Sequence, residues 1–253
     1  MARYQIILGY DGTSFFGSQR QASSRTVQSE LEKALRKLGW HGQTVYLAGR
    51  TDTGTHAYGQ VAAFDLDWMH DVQKLQDALN ACLPRDMAVR EVKAAADNFH
   101  PRFDASSRCY RYRLFCASVR DPLRERYAWR VWPPVTDLAV LAHIWPGTHD
   151  FAAFGTSPHS GGSTVRTVMS AGWQQHGDEW IFEIRADAFL YRMVRRLVYA
   201  QVAVGQARLS AITLLQALDN RSEVGHAARS QIPASLAPAS GLTLVDVDYD
   251  NLV

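Results

Sequence analysis

Apolar residues in the first hundred positions follow two different periods. Runs in which every second residue is apolar predict strands, whereas apolar residues three or four positions apart predict helices. One helix is predicted from Thr26, a favourable N-cap residue, to Leu38, and a second between Asp71 and Pro84. The predicted strands are Tyr4–Gly9, Thr44–Ala48, Gln60–Leu66 and Met87–Ala94. The resulting order is β-α-β-β-α-β, which is typical of a ferredoxin-like unit.

The second half of the chain gives a similar order. Its predicted helices run from Thr136 or Asp137 to Ile144, over Phe189–Val204 and over Leu209–Leu218. Its predicted strands are Cys109–Phe115, Val165–Gln174, Glu179–Ala186 and Leu242–Tyr249. We therefore expect an α+β protein with two ferredoxin-like (RRM-like) halves, residues 1–105 and 106–253. The halves are expected to form one extended mixed, mainly antiparallel sheet with a central basic cleft.

Composition narrows the possible functions. A hydrophobic content of 47% allows a buried core, and no apolar run reaches the roughly 18–20 residues that span a bilayer. Three isolated cysteines fit a reducing compartment, so a cytoplasmic protein without a membrane anchor is expected. The chain has no paired metal-ligand motif, no G-x-G-x-x-G and no P-loop, so no metal and no nucleotide cofactor are expected.

Positive charge is concentrated although the formal net charge is only +2. The chain has 23 Arg and 4 Lys, and residues 102–130 hold eight Arg against three acids. Arginine forks bind phosphate oxygens in pairs and stack on bases, which favours a nucleic-acid partner. Two alternatives apply, since a run of charges is usually a solvated face and a preference for Arg over Lys often reflects genome composition.

The segment Gly49–Ala57 is the strongest candidate for a reactive site. It lies between two predicted strands and places Arg50 and Asp52 two residues apart among glycines, at which the backbone can bend sharply. A carboxylate beside a guanidinium stays ionised, so Asp52 could serve as a nucleophile or a base. A simple tight turn, with side chains bonded to their own backbone, is the alternative.

Three further segments combine aromatic and basic residues. Tyr110 and Tyr112 share one face of a predicted strand. They could stack on a base, or they could only pack within the protein. A predicted helix over 187–198 carries three arginines, one of which could reach a carboxylate, although all three could instead be solvated. The segment Phe99–Phe103 suits looped RNA, or is a linker anchored by two phenylalanines.

These segments together resemble the tRNA pseudouridine synthase A type of pseudouridine synthase over nearly the whole chain. The matching motifs are Tyr10-Asp11-Gly12 with Gly17 and Gln19-Arg20-Gln21, Gly49-Arg50-Thr51-Asp52 with Gly54 and His56, Phe99-His100 with Arg102-Phe103, Tyr110-Arg111-Tyr112, Met193-Val194-Arg195, and Ala237-Pro238-Ala239 with Gly241-Leu242.

The resemblance implies conversion of uridine to pseudouridine in the anticodon stem-loop of tRNA, at the positions conventionally numbered 38, 39 and 40. It implies no cofactor, no metal and a homodimer that binds tRNA with both subunits. Asp52 corresponds to the family's essential aspartate and Tyr110 to the tyrosine that stacks on the target base. Arg195 corresponds to the arginine that pairs with the aspartate, and Arg50 to one implicated in flipping the nucleotide.

Other residues are assigned to binding on the same resemblance. The residues expected to contact RNA besides Arg50 are Phe99, His100, Arg102, Phe103, Arg20 and Arg111. Leu244 is expected to line the substrate pocket with Tyr110. The chain departs from the family at Ser18, where Trp is usual, and at Thr55, where Val is usual.

Two other functions compete with this interpretation. Asp52-Thr53-Gly54 is also the active-site triplet of aspartic proteases, but those enzymes need two such aspartates and this chain has one such triplet. A non-catalytic RNA-binding protein with tandem RRM-like halves is the second alternative. It gives no reason for a carboxylate beside Arg50 in a groove that binds phosphates.

Overall fold

The alternating strand β1 (Ala2–Tyr10) lies inside a sheet in the computed structural model, which describes residues 1–219 and 222–249. Its buried residues are Tyr4, Ile6, Leu8 and Tyr10. It pairs antiparallel with β3 (His56–Leu66) on one side and with β4 (Met87–Ala94) on the other. Two-sided pairing satisfies the backbone of β1, and its apolar face forms the centre of the first core.

Two capped helices accompany these strands. Helix α1 (Val27–Lys37) begins with a capping box in which Thr26 and Ser29 each accept a hydrogen bond from the other's backbone N–H. Helix α2 (Val72–Cys82) begins after Asp71, whose side chain accepts from the N–H of Lys74. Both helices thus begin where the sequence predicts.

The chain divides into two compact units, Met1–Ser106 with the segment from Thr243 onward, and Ser107–Leu242. The first unit has the strand order β4-β1-β3-β10, in which β10 (Leu242–Asp248) runs parallel to β3. The short strand β2 (Tyr46–Leu47) also pairs with β3. The C-terminal strand thus completes the sheet that the N-terminus begins.

The second unit has its own antiparallel sheet, in the order β5-β9-β8-β7. Its strands are β5 (Ser107–Cys116), β6 (Trp129–Val131), β7 (Gly147–Asp150), β8 (Val165–His176) and β9 (Glu179–Ala186). Its helices are α3 (Leu138–Leu141), α4 (Met193–Gly205), α5 (Ala211–Gln216) and α6 (Glu223–Gln231). Strand β6 adds a parallel pairing to the end of β5.

The α+β class and the mainly antiparallel pairing are confirmed. The predicted helical start at Phe189 is wrong, since α4 begins at Met193. Asp187 accepts hydrogen bonds from the N–H groups of Thr167 and Ala188 just after β9, and Arg192 has a φ of 63°. These contacts hold residues 187–192 as a connection. Within the described ranges, no helix is long and apolar enough to cross a bilayer.

Candidate functional site

Asp52 lies in a tight connection between β2 and β3 in the first unit. Its backbone carbonyl accepts a hydrogen bond of 3.1 Å from the N–H of Thr55, and the N–H of Gly54 donates to the carbonyl of Phe15. Asp52 is half-buried, whereas Arg50 is exposed. The backbone is therefore a turn closed by a backbone–backbone bond, and it carries Arg50 and Asp52 two residues apart.

Thr51, between these two charged residues, is fixed by buried side chains from distant positions. The Oγ of Ser18 accepts a hydrogen bond of 2.9 Å from the Thr51 N–H, and the Ser18 N–H donates to the Thr51 carbonyl at 3.1 Å. The hydroxyls of Tyr10 and Thr51 are 2.9 Å apart. Ser18 is fully buried, so water does not compete for these bonds. The residue before Asp52 is thus held through its N–H, its carbonyl and its side chain.

Gly49, before Arg50, is held by one amide side chain. The Nε2 of Gln60 donates to the Gly49 carbonyl at 2.8 Å, and its Oε1 accepts from the Gly49 N–H at 3.0 Å. Gln60 is fully buried in β3 and also approaches the Tyr10 hydroxyl at 3.4 Å. Arg50 and Asp52 are therefore presented from a backbone fixed on both sides.

Two glycines let the segment after β1 pass against this connection. A Cβ at Gly12 would lie 2.0 Å from the carbonyl oxygen of Thr55. A Cβ at Gly17, where φ is +87°, would lie 2.9 Å from the carbonyl oxygen of Thr51. Any larger residue would push the two segments apart. This explains why a Tyr-Asp-Gly turn accompanies the Gly-Arg-Thr-Asp segment.

Sequence reasoning did not identify the residues that hold the connection. Tyr10 was noted only as part of a motif, Ser18 only as a departure from the family's usual Trp, and Gln60 only as a strand residue. A signal for Gln60 was present, because a glutamine inside the apolar run of β3 must find hydrogen-bond partners once it is buried. Bonds between residues 33 or 41 positions apart leave no local pattern.

Burial suppresses ionisation of Tyr10 and Tyr112. It raises the pKa of Tyr10 to about 12 despite the hydrogen bonds from Thr51 and Gln60, which act in the opposite direction. It also raises the pKa of Tyr112 well above the usual value. Both rings therefore remain neutral at physiological pH, and their hydroxyls act as hydrogen-bonding groups.

In the second unit, Tyr110 lies on β5 and is buried. Its ring contacts Phe189 edge-on, with centroids 5.1 Å apart and planes at 88°. Tyr112 is fully buried, and its hydroxyl donates to the carbonyl of Pro238 at 2.9 Å. Of the two tyrosines that alternate on this strand, Tyr112 is therefore anchored within its own unit.

Arg195, also in the second unit, lies in the first turn of α4 and is half-buried. Its Nε donates to the carbonyl of Ala237 at 2.7 Å, and its own carbonyl accepts from the Ala237 N–H at 3.2 Å. The Met-Val-Arg and Ala-Pro-Ala motifs are thus in direct contact. This contact fixes the direction in which the Arg195 guanidinium leaves the helix.

The other predicted binding residues have different surroundings. Phe99 is buried against Tyr249, with ring centroids 5.1 Å apart, and Leu244 is fully buried in β10. Arg20 donates to the buried carboxylate of Glu32 at 2.9 Å. Within the first unit, Phe99 and Leu244 therefore contribute to packing, and Arg20 contributes to an internal ion pair.

Arginines in residues 102–130 form ion pairs with acidic side chains. The pairs are Arg111–Glu183, Arg113–Glu179, Arg120–Glu125, Arg124–Asp178 and Arg130–Glu125. Most of these acids lie on or beside β9, outside the stretch in which the charge was counted. The local excess of positive charge is therefore smaller in the folded unit than along the sequence.

No group of three or more His, Cys, Asp or Glu side chains in residues 1–219 and 222–249 is arranged to hold a metal ion.

Comparison with known proteins identifies the family. A family model described as tRNA pseudouridine synthase matches residues 6–104 and 141–250. The chain is 39% identical to tRNA pseudouridine synthase A of Chloroflexus aurantiacus, over 98% of this chain and 89% of that protein. It is 36% identical to the protein of that name from Limosilactobacillus fermentum (99% and 97% covered), and 37% identical to that from a Geobacillus species (98% and 99% covered). The chain therefore belongs to the tRNA pseudouridine synthase family.

Proposed function

We propose that this protein isomerises uridine to pseudouridine in the anticodon stem-loop of tRNA, with Asp52 as the essential carboxylate. The observation that carries the proposal is the position of Asp52 in its matched Gly-Arg-Thr-Asp segment. Buried side chains hold the backbone on both sides of Arg50 and leave Asp52 half-buried. A carboxylate held in this way has little freedom to lose when a substrate binds.

The reaction needs no second substrate. The N1–C1′ bond breaks, the uracil turns within the site, a C5–C1′ bond forms, and the proton on C5 is released while N1 gains one. Asp52 can contribute either by attacking the ribose or by removing a proton from it. Both routes use the carboxylate form of the Asp52 side chain.

Access to the glycosidic bond sets the roles of the other residues. A paired uridine must first leave the stem, at a cost of roughly a few kcal/mol in stacking and pairing. The exposed Arg50 side chain is suited to fill the space the base leaves. Tyr110 would stack on the displaced uracil and Arg195 would pair with Asp52. These two roles and a homodimeric assembly stay predictions drawn from the resemblance, and a cytoplasmic location stays a prediction drawn from the composition.

Release of tritium from C5 of uridine tests the proposal directly. We expect the wild-type protein to release label from an anticodon stem-loop transcript. Asp52→Asn and Asp52→Ala should release none above background while their Kd for the RNA stays within about threefold, because only the reacting group is removed. The matched control is Asp67→Asn, since Asp67 lies at the other end of β3 and its side chain is 88% exposed.

Turnover by either Asp52 variant would remove this carboxylate from the mechanism. RNA binding by the wild-type protein without any release of tritium would favour the non-catalytic RNA-binding alternative.

A further inference from the structure

Three aromatic rings on the first unit contact one another in a row with tilted planes. The ring centroids of Tyr46 and His100 are 5.0 Å apart with planes at 52°, and those of His100 and Phe103 are 4.2 Å apart with planes at 31°. At the inner end, the guanidinium of Arg3 lies 5.7 Å from the Tyr46 centroid. At the outer end, Phe103 is 77% exposed. The row of rings thus ends in a large aromatic side chain that remains mostly in contact with solvent.

The backbone that carries Phe103 is held in a closed turn. The N–H of His100 donates to the Asp104 carboxylate at 2.8 Å, and the Asp104 N–H donates back to the His100 carbonyl at 3.1 Å. Inside the turn, Nδ1 of His100 accepts from the N–H groups of Arg102 at 3.2 Å and of Phe103 at 3.3 Å. An exposed ring on a turn with four such bonds has little backbone entropy to lose when it binds a partner.

The neutral form of His100 suits this arrangement. Partial burial is the largest effect on its pKa, which is lowered from the usual value. An unprotonated Nδ1 is required to accept the two backbone N–H groups, and a neutral ring packs against Phe103 without a charge to desolvate.

Arg102 precedes Phe103 in the same turn. Burial and the charge of Arg50 both lower the pKa of Arg102, so the two guanidinium groups repel each other. Arg50 lies two residues before Asp52 in the sequence. Two like charges held together beside an exposed ring match the alternation of phosphate and base along an unpaired RNA strand.

We propose that Phe103, backed by His100 and Tyr46, is a stacking platform for an unpaired nucleobase of the RNA substrate, and that Arg102 binds the adjoining phosphate. The inference rests on the proposed function, because it takes the RNA to be an anticodon stem-loop with single-stranded nucleotides next to the target. The platform holds a neighbour of the target uridine while the target itself is displaced. Phe103 is thus a binding residue and takes no part in bond breaking.

Fluorescence of 2-aminopurine, which falls when the base stacks, reports the contact. A set of anticodon stem-loops, each with 2-aminopurine at one unpaired loop position, is titrated with the wild-type protein and with Phe103→Ala, Phe103→Leu and Phe103→Tyr. We expect at least one position to be quenched by the wild type and by Phe103→Tyr. With Phe103→Ala that quenching should disappear and Kd should rise about 5- to 150-fold, the range given by 1–3 kcal/mol per stacked base. Phe103→Leu should lose the quenching and weaken binding less.

The matched control is Tyr58→Ala. Tyr58 is also more than half exposed in the first unit, but the guanidinium of Arg90 lies 3.4 Å from its ring centroid, so the ring has a face already occupied. This variant should keep the quenching and the wild-type Kd. Because Phe103 is so exposed, its replacement should leave the melting temperature within about 1 °C.

The kinetic result should separate binding from chemistry. Phe103→Ala should raise KM for tritium release in proportion to Kd and leave kcat within about twofold. Unchanged quenching and Kd in Phe103→Ala, with normal tritium release by the wild type, would overturn the platform and leave the proposed function intact. If the quenching depends on Phe103 but the wild-type protein releases no tritium, the platform would stand and the proposed function would be overturned. Equal competition by a fully paired RNA duplex would also overturn the platform.

Discussion

Replacement of Ser18 by alanine isolates the hydrogen bond that fixes the residue before Asp52. The Oγ of Ser18 accepts from the Thr51 N–H at 2.9 Å, and Ser18 is fully buried. Ser18→Ala leaves this N–H without its partner and with no room for water, which costs about 1–3 kcal/mol. For a chain of this size, about 1 kcal/mol lowers the melting temperature by about 2–4 °C. We therefore expect a loss of about 2–12 °C.

The same change should reduce turnover more than binding. Thr51 adjoins Asp52, and a misplacement of about 1 Å in a reacting group can lower a rate about 100-fold. Ser18→Ala should lower kcat for tritium release about 10- to 100-fold, with KM for the stem-loop within about twofold, because Ser18 has no exposed surface to offer RNA. Ser18→Cys should be intermediate, since sulfur is a weaker acceptor in a similar position.

Ser29→Ala controls for lost stability. Ser29 Oγ also accepts a backbone N–H, that of Thr26 at 3.0 Å, but it does so at the start of α1. Its loss should cost about 1 kcal/mol and leave kcat unchanged. If Ser18→Ala melts earlier but keeps the wild-type kcat, the bond stabilises the fold without positioning Asp52. If neither quantity changes, Thr51 finds another acceptor and the assigned role of Ser18 is wrong.

Two further predictions concern neighbours of this bond. Thr55 Oγ1 is buried without a hydrogen-bond partner. Thr55→Val should therefore raise the free energy of unfolding, measured by urea titration, by about 1 kcal/mol and leave kcat unchanged. A loss of stability would mean that the hydroxyl has a partner. Because burial raises the pKa of Tyr10 to about 12 from 10.0, its stabilising effect is complete below pH 10 and is lost as the pH rises from about 10 to about 12, by up to about 3 kcal/mol. The stability advantage of wild type over Tyr10→Phe should therefore shrink as the pH rises from about 10 towards about 12, and parallel curves would contradict this assignment.

The first unit was predictable where local signals agree with packing. Thr26 and Asp71 cap the two helices, and Met87–Ala94 is a strand with the predicted bounds. The predicted strand Thr44–Ala48 shortens to two residues because helix side chains bind its first part. Gln28 donates to the Thr44 hydroxyl and the Val45 carbonyl, and Glu32 accepts from the Val45 N–H. These partners come from α1, which a periodicity argument does not consider.

The second unit was less predictable because several of its elements carry no strong period. Strand β6 has three residues and β7 has four, too few to show alternation. Helix α6 begins at a Ser222 cap but buries only Gly225 and Ala228, so it lacks an apolar stripe. Strand pairing and packing against neighbouring elements, rather than local sequence, determine where β6, β7 and α6 form.

Some residues of the candidate site were predictable from the sequence and others were not. Asp52 and Arg50 were identifiable because the chemistry and the glycines lie within nine residues of sequence. The groups that hold them were not, since Ser18 and Gln60 act on the connection through contacts that exist only in the folded unit.

The arginine-rich stretch shows why a charge count along the chain overstates a binding surface. Arg111 and Glu183 are directly opposite in the β5–β9 register, and their side chains are 45% and 46% exposed. An ion pair this exposed contributes only about 0–1 kcal/mol, so a phosphate could displace the carboxylate from Arg111 at little direct cost. The displaced carboxylate would then lie beside the phosphate and repel it, which offsets part of the gain. The paired arginines of β5 should therefore each contribute less to RNA affinity than a count of charges along the chain implies.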